Sequence, residues 1–342
     1  MRSPLTAVSI FMFLIPGIQE RPDGSATNGL ISLARIAVFP NGNWRNIQLP
    51  SSLLTMGKSF SLKGRKTDRT GLESIEMTRL KEDWIRDIET QIEEYDQELS
   101  DKIGMTLLEL AASANGIAAD RIRKAAGKYK VAAVPVMAGE GIIGSFSQSV
   151  AAIIGRLGFK TFVTEAADVD GIYEAFGAGA TCLFLADDQR FIGINRESNL
   201  ISDNNTATAK GYITALEQAA GDLEGRKVLV LGHGTVGKLM VELLTQRKAL
   251  LKVYDIDATR MSGLDQSMIL ESKDFIKDYQ LILDATNNGD WITEEMLHKD
   301  FWMAAPGVPL SLSQSLFKKY RHRVIHDRLQ IGVAVMMGEL CR

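Results

Sequence analysis

A six-residue glycine-rich segment, 232–237 (GHGTVG), lies between an apolar β-strand-like run at 227–232 and the helix-forming run KLMVELLTQR. In this order, the first glycine allows a tight strand-to-helix turn, the second lets the backbone approach a pyrophosphate, and the third lets the helix pack closely on the strand. Free N–H groups at the start of the helix favour the negative charge of phosphates. The segment therefore predicts a Rossmann domain that binds a dinucleotide through Gly232, His233, Gly234, Thr235, Val236 and Gly237. We expect His233 to face solvent or the edge of the cofactor.

The next predicted strand, at 250–255, ends in Asp255, 18 residues after Gly237. An acid at this place binds the ribose hydroxyls of NAD and repels the 2′-phosphate of NADP. Ile256 follows, and no Arg or Lys is adjacent in the sequence. The sequence thus predicts NAD as the cofactor, with Asp255 and Ile256 beside its ribose. Four residues at the ends of later strands are predicted to line the nicotinamide pocket, with ordinary turns as the alternative: Thr286, Asn287, Pro306 and Gly307.

The hydrophobic pattern from Met77 onward alternates between helical and strand periods. Helices are predicted at 78–101, 106–112 and 118–128, and a linking helix at 207–220. Strands are predicted at 131–136, 161–164, 182–186 and 191–195, and then at 227–232, 250–255, 281–286, 301–306 and 323–327. Strands alternating with helices favour an α/β fold with mostly parallel sheets.

The predicted elements fall into two domains. Residues 77–206 would form leading helices and an α/β substrate domain, and residues 207–342 the Rossmann NAD-binding domain. Ligands of such folds bind at the carboxyl ends of the strands, in the cleft between the domains.

The first 76 residues differ from the rest of the chain in composition. They contain five of the eight prolines and show no sustained period between Gln19 and Glu76. We interpret residues 1–76 as a poorly ordered extension or the product of a start codon assigned too far upstream. The apolar run at 5–15 has the length of a signal peptide, but no small-residue cleavage site follows it directly.

The overall composition indicates a small-molecule enzyme. The net charge is -3, so no basic excess indicates nucleic acid binding. The two cysteines, Cys182 and Cys341, have no neighbouring Cys or His at metal-ligand spacing, so neither a zinc site nor a disulfide framework is predicted. We expect a cytoplasmic protein with no membrane or nucleic-acid partner, and the sequence leaves a homodimer open.

Carboxylates are better candidates for the chemistry than the four histidines. Asp187 and Asp188 follow the apolar run 182–186 directly, and Asp327 ends the last strand, so these acids are expected to face the cleft or to begin solvated turns. Three further candidates are Glu140 in a glycine-rich loop and Asn204 and Asn205 before the linking helix. The polar stretch from Asn204 to Thr206 is expected to cap that helix and to reach the cleft. Acids without a Lys or His base suggest an amine-bearing, cationic substrate.

Eight segments occur in a fixed order along the chain: VPVMAGEGIIGSFSQSV, GFKTFVTEAADVDGIYEAFGAGA, LFLADDQRF, DNNTATAKGY, VLVLGHGTVG, VYDID, APGVP and LQIGVAVM. Taken together, they closely resemble the PylD family of pyrrolysine synthases over about residues 77–342. The glycine loop is generic, whereas the GIIGxFSxS, TxxxDVxGxYEA and xADDxxF patterns in this order are specific to that family.

The resemblance implies an NAD-dependent enzyme that oxidises the terminal amine of an isopeptide of lysine and 3-methylornithine. The pyrroline ring of pyrrolysine would then close with loss of ammonia and water. By position, Asp187 resembles the family's acid near the reacting amine. Substrate-binding residues implied in the same way are Leu80 on a movable lid helix, Ala138, Glu140, Ile142, Asn205 and Asp327. Ala138 and Glu140 depart from the family pattern, in which a small hydroxyl residue and an Asn are expected.

Two alternatives remain from the sequence. One is another two-domain NAD-dependent dehydrogenase of the shikimate or amino-acid type. The shikimate type places an Asp after its Asn-Thr pair, whereas Ala207 follows Asn205 and Thr206. The other is a non-catalytic NAD-binding regulator, which would need the glycine loop but neither Asp187 nor Asp327.

Overall fold

A computed structural model describes residues 80–342 in full and, of the preceding residues, only the backbone of four short strands. Those strands are β1 (Leu14–Glu20) and β2 (Ala26–Ser32), which pair antiparallel, and β3 (Arg35–Ala37) and β4 (Trp44–Asn46), which also pair antiparallel. They belong to a compact unit of their own, separate from the unit that contains residues 80–342. The predictions about an extension at 1–76 and an apolar run at 5–15 otherwise concern residues outside the described ones.

The predicted helix at 78–101 is divided in the structure into α1 (Glu82–Ile85) and α2 (Ile88–Ile103). The break has a tertiary cause. The carbonyl of Ile85 accepts a hydrogen bond from the Ser149 hydroxyl at 3.0 Å, and that of Trp84 accepts one from the Arg328 guanidinium. In an uninterrupted helix these carbonyls would instead bond to the amides four residues later.

The next two helices agree with prediction to within two residues at each end, α3 at Leu107–Ala114 and α4 at Ala119–Ala126. Helix α3 begins with a capping box, in which Thr106 and Glu109 each accept a hydrogen bond from the other's backbone N–H. Such a start depends only on local sequence, which explains why it could be predicted.

The first sheet contains five strands in the order β6-β5-β7-β8-β9. They are β5 (Lys130–Ala133), β6 (Lys160–Val163), β7 (Cys182–Ala186), β8 (Phe191–Asn195) and β9 (Leu200–Asp203). Helices α5 (Phe146–Arg156) and α6 (Asp168–Gly177) form the crossovers. Strands β5, β6 and β7 are parallel, whereas β8 runs antiparallel to its neighbours β7 and β9, so the prediction of a mostly parallel sheet is wrong only for β8. The connection between β7 and β8 is too short for a crossover helix and forms a hairpin.

The second sheet is parallel throughout, with the order β11-β10-β12-β13-β14, and confirms the Rossmann prediction. Its strands are β10 (Lys227–Leu231), β11 (Leu250–Tyr254), β12 (Leu281–Asp284), β13 (Trp302–Ala305) and β14 (Val324–His326). Helix α8 (Thr235–Gln246) follows β10, α9 (Gln314–Tyr320) precedes β14, and α10 (Gln330–Glu339) ends the chain.

Helix α7 (Asn204–Ala220) joins the two sheets and begins three residues before the predicted start. Asp203 is its N-cap: its Oδ1 accepts from the amides of Asn205 and Thr206 at 3.0 and 3.2 Å. The expected cap at Asn204 to Thr206 is therefore wrong by one residue. A continuous apolar core runs from the first sheet through α7 and α10 into the second. The division into domains at residue 206 stays a prediction, since residues 80–342 lie within one compact unit.

Candidate active site

A cleft opens at the point in each sheet where one connection runs to the strand on one side and a later connection runs to the strand on the other side. In the first sheet, β6 and β7 flank β5, and in the second, β11 and β12 flank β10. The loops that leave two neighbouring strands at such a point diverge, which creates a crevice at the carboxyl ends of the strands. Residues that follow β5, β7, β12, β13 and β14 line one shared cleft.

The cleft has a volume of about 1300 Å³ when the open solvent at its mouth is included. One wall is apolar, with the rings of Phe146 and Phe191 packed edge to face at 5.2 Å. Acidic groups also line it: Asp187 and Asp188 follow β7, and Asp327 follows β14. The cleft therefore combines an apolar wall with side chains that favour a cation.

The glycine loop has the geometry that a dinucleotide requires. Gly232 has a φ of +84°, which side-chain-bearing residues rarely adopt. A Cβ on Gly237 would lie 1.9 Å from the carbonyl oxygen of Gly232, so only glycine lets α8 lie this close to the turn. Helix α8 begins at Thr235, with Gly234 as its N-cap, and its first amides can receive a pyrophosphate. These residues fit a dinucleotide cofactor.

Asp255, which directly follows β11, holds this loop in place through a hydrogen bond. Its Oδ2 accepts from the His233 amide at 2.7 Å, its Oδ1 accepts from the Asp257 amide at 2.9 Å, and the residue is buried. The neighbouring Ile256 is 89% exposed. The carboxylate thus fixes the shape of the loop, and its contact with a ribose stays a prediction.

Of the two alternatives for His233, exposure to solvent is wrong, and contact with the edge of the cofactor stays a prediction. Its ring is buried and its Nδ1 lies 2.7 Å from the carbonyl oxygen of Arg260. The guanidinium of Arg260 lies 3.7 Å from Asp257 Oδ2, and Nη1 lies 3.9 Å from where a Cβ of Gly234 would be. The structure therefore brings a cation beside the cofactor loop that adjacency in the sequence did not reveal.

The predicted nicotinamide residues Thr286, Asn287, Pro306 and Gly307 all line the cleft. Asp284, fully buried at the end of β12, holds the first of these loops: its Oδ1 accepts from the Thr286 amide at 3.1 Å and from its hydroxyl at 2.6 Å. Burial raises the pKa of the Asp284 carboxyl. The sequence analysis missed Asp284, although its place at the end of a buried strand was a signal.

Asp187 lies at the turn between β7 and β8. Its Oδ1 accepts from the amides of Gln189 and Arg190 at 2.8 and 2.7 Å, and the residue is exposed to the cleft. Within residues 80–342, no hydrogen bond reaches its Oδ2. Its neighbour Asp188 instead accepts from the Glu140 amide at 2.5 Å. Asp187 can therefore offer one oxygen to a ligand while the other fixes the turn.

Asp327 is buried between three helices. Its Oδ2 accepts from the Tyr95 hydroxyl of α2 at 2.7 Å, and its Oδ1 accepts from the Leu329 amide at 2.9 Å, ahead of α10. The Tyr212 hydroxyl of α7 donates to its backbone carbonyl at 3.1 Å. Burial raises the pKa of this carboxyl. Asp327 thus joins the elements around the cleft, and direct contact with substrate stays a prediction.

Replacing His326, beside Asp327, is expected to change the pH dependence of stability. Its Nδ1–H donates to the Ala305 carbonyl at 2.7 Å, and burial lowers the pKa of the imidazole. Because the folded protein disfavours the protonated ring, the stability due to this residue is present above the unfolded pKa of about 6.5 and is lost as the pH falls through the folded pKa. The contribution of His326 to the melting temperature of wild type should therefore fall between about pH 7 and pH 5.

In His326→Gln, the fall in melting temperature over this range should be smaller than in wild type. The matched control is His322→Gln, which changes an exposed histidine in the short helical turn that precedes β14. An unchanged pH slope in His326→Gln would contradict the assignment.

The predicted substrate residues divide into two groups. Four of them line the cleft together with Asp187: Leu80, Ile142, Asn205 and Asp327. Ala138 and Glu140 are exposed on the loop after β5, where Gly141 and Ile142 form the wall. The sequence analysis missed Tyr212 and Arg328 among the lining residues. Arg328 could have been noticed as the residue directly after the strand-terminal acid.

Two global features accompany this site. In the described part of the chain, no three His, Cys, Asp or Glu side chains gather as a group that could hold a metal ion. No helix among the described residues has the length and apolar character needed to cross a membrane.

Comparison with known proteins places the chain in a family. The N-terminal domain of the pyrrolysine biosynthesis protein PylD matches residues 84–202. The pyrrolysine synthase of Methanosarcina barkeri (strain Fusaro) is 30% identical over 266 residues, which are 77% of this chain and 98% of that protein. The chain belongs to the pyrrolysine synthase family. A second member of the pyrrolysine synthase family, from Methanosarcina acetivorans, is 31% identical over 210 residues, 61% of this chain and 81% of that protein.

Among solved structures, the bifunctional enzyme FolD, a methylenetetrahydrofolate dehydrogenase/cyclohydrolase from Campylobacter jejuni, has a TM-score of 0.44 and 13% identity. The match covers 75% of this chain and 96% of that protein. This similarity is too remote to assign a function, and membership of the pyrrolysine synthase family rests on the sequence relatives alone.

Proposed function

We propose that this protein is an NAD-dependent amine dehydrogenase that converts the isopeptide of lysine and 3-methylornithine into pyrrolysine. The observation that carries the proposal is the meeting of Asp187 with the predicted nicotinamide residues Thr286, Asn287, Pro306 and Gly307 in one cleft. Membership of the pyrrolysine synthase family supports the choice of substrate.

The bound cofactor would supply a hydride acceptor. Its pyrophosphate would lie on the loop 232–237 and the first turn of α8, and its nicotinamide end against the loops after β12 and β13. We propose NAD over NADP because Asp255 places a carboxylate at the end of β11, where a 2′-phosphate would be repelled. Arg260, across the same loop, makes a direct comparison of the two cofactors worthwhile.

Asp187 would prepare the amine. A primary ammonium has a pKa of about 10.4 and cannot release a hydride from its carbon until it has lost a proton. Asp187 lines the cleft and its Oδ2 has no protein donor among the described residues, so this oxygen can attract the ammonium and take up its proton directly or through water. The apolar wall of Phe146 and Phe191 would exclude bulk water beside the reacting carbon.

The remaining steps need no protein nucleophile. Once the deprotonated amine has given up a hydride, which carries two electrons, from its carbon, water adds to the resulting iminium and ammonia leaves, which gives an aldehyde. The α-amine of the same half-molecule then attacks this aldehyde and expels one water, so the water consumed is returned and the net loss is ammonia. Five-membered ring closure is favoured because both groups belong to one molecule. The cleft has only to hold the methylornithine half of the substrate in a folded-back conformation.

The function is tested by mixing the full-length protein, the synthetic isopeptide and NAD and following the absorbance of NADH. We expect NADH to appear together with pyrrolysine and ammonia in equal amounts, and more slowly with NADP than with NAD. NADH formation with a hydroxy acid or a simple amino acid but not with the isopeptide would instead support a shikimate-type or amino-acid dehydrogenase. Cofactor binding without turnover of any of these compounds would support a regulator.

A further inference from the structure

Arg328 brings a positive charge into an otherwise acidic cleft. It follows Asp327 directly after β14, and its side chain is exposed. Of the described residues that line the cleft, it alone is a lysine or arginine. Asp187 and Asp188 follow β7 of the first sheet, whereas Arg328 follows β14 of the second, next to Asp327, whose carboxylate is bonded to Tyr95 and Leu329.

The guanidinium of Arg328 has N–H donors that no hydrogen bond within residues 80–342 uses. One of its Nη1 hydrogens bonds to the Trp84 carbonyl of α1. Within residues 80–342, no carboxylate lies within 4.0 Å of it, and Asp327 turns its own carboxylate towards Tyr95 and the amides before α10. An arginine side chain carries five N–H donors, so most of them remain available to an anion.

Other arginines of the same region are paired. Arg321 contacts Glu98, Arg156 contacts Asp96 at 2.7 Å, and Arg190 lies 3.3 Å from Asp203. Arg328 therefore differs from these in having no carboxylate within 4.0 Å among residues 80–342, and it lines both this cleft and a neighbouring groove that also contains Trp84 and Glu98. Its bond to Trp84 also fixes the side chain in advance, which lowers the entropic cost of binding a ligand.

We propose that Arg328 binds the α-carboxylate of the lysine half of the substrate. This inference rests on the proposed function, because it names the group on that substrate which the second sheet recognises. A guanidinium and a carboxylate can form two parallel hydrogen bonds, which fix orientation as well as affinity. Arg328 is thus a specificity-determining residue that contacts the end of the substrate away from the reacting amine.

The arrangement also sets the direction of binding. With its carboxylate on Arg328, the substrate presents its terminal ammonium towards Asp187 on the first sheet. In the reverse direction, the carboxylate would approach Asp187 and Asp188, and like charges at short range disfavour that orientation. The cleft therefore accepts a molecule with a carboxylate at one end and an amine at the other.

The test measures binding by titration calorimetry on the full-length protein saturated with NAD. The two probes are Nε-acetyl-L-lysine, which mimics the lysine half, and its α-carboxamide, which has the same shape without the negative charge. Wild type should bind the acid about 10- to 100-fold more tightly than the amide, as expected for a charge-assisted hydrogen-bonded pair. This comparison needs no variant, so it is unaffected by any change in folding.

Variants then assign the preference to one residue. Arg328→Gln should bind both probes equally and weakly, and Arg328→Lys should retain part of the preference because it keeps a charge but not the planar fork. The matched control is Arg321→Gln, which removes an arginine that is paired with Glu98 outside this cleft and should keep the wild-type ratio.

Equal binding of the two probes to wild type, no binding of the acid, or an unchanged preference in Arg328→Gln would each overturn the inference. The experiments distinguish failure of this inference from failure of the proposed function. NADH formation with the isopeptide but no acid preference would remove the role of Arg328 and leave the reaction intact. An Arg328-dependent preference without NADH formation would leave the carboxylate site intact and remove the reaction.

Discussion

Asp187→Asn should lower the turnover of the isopeptide by about 10²–10⁴-fold, the range that a positioned proton acceptor contributes. The asparagine keeps an Oδ1 that can accept from Gln189 and Arg190, so the turn between β7 and β8 is retained. It loses the charge that attracts the ammonium and takes up its proton. The measurement is the rate of NADH formation at saturating NAD and substrate, with NADH binding by fluorescence as a second readout.

The matched control for this change is Asp170→Asn, which neutralises an exposed acid in the first turn of α6, outside the cleft. It should react at the wild-type rate. Asp187→Asn should bind NADH as tightly as wild type because the residue belongs to the first sheet and the glycine loop to the second. Turnover within a few-fold of wild type in Asp187→Asn would remove the acid from the mechanism.

Gly237→Ala should weaken dinucleotide binding by about 10- to 100-fold. The new Cβ would lie 1.9 Å from the Gly232 carbonyl oxygen, so α8 or the turn must move. Overpacking of this kind costs about 1–3 kcal/mol, and each 1.4 kcal/mol is tenfold in the dissociation constant if the displacement falls on the binding loop. NADH fluorescence titration measures the effect, and thermal melting shows whether the fold is also weakened.

A second variant separates contact with the ligand from damage to the fold. At Gly234, the nearest atom to an added Cβ is Arg260 Nη1 at 3.9 Å, which is ordinary contact, so Gly234→Ala should fold normally. It should still weaken NADH binding, since the methyl group occupies the space through which the pyrophosphate approaches. Gly177→Ala, with nothing within 4 Å, is the control for both. Wild-type affinity in Gly237→Ala and Gly234→Ala would show that the loop does not bind the dinucleotide.

The parts of the fold that sequence reasoning predicted well are those fixed by neighbouring residues. The strand predicted at 182–186 and the start of the helix predicted at 106–112 agree with the structure because apolar runs and capping boxes act over a few residues. The antiparallel direction of β8 was not predicted, because strand direction depends on the length of the connection and on the partner strand. Boundaries of the strands that border the cleft were predicted too long, as at 281–286, where Asp284 bends the chain through its bonds to Thr286.

In the candidate site, too, the features set by neighbouring residues were predicted and those set by distant contacts were not. Its acids could be selected because Asp187 and Asp327 each follow an apolar run, and both line the cleft. Their different surroundings could not be predicted, since Asp327 meets Tyr95, a residue 232 positions away, whereas Asp187 is bonded within its own turn. Arg260 was missed because only the folded chain brings it beside the glycine loop, whereas Arg328 directly follows Asp327 in the sequence and could have been noticed.

The sequence by itself determined the cofactor loop, the alternation of strands and helices, and the family. All three depend on residue type and on spacing along the chain, which are local quantities. Only the tertiary structure decided where the first helix breaks, which acid is buried and which is open, and which cation enters the cleft. These outcomes depend on contacts between distant segments, such as Ser149 with Ile85 and Arg328 with Trp84, whose geometry exists only once both sheets have packed around α7 and α10.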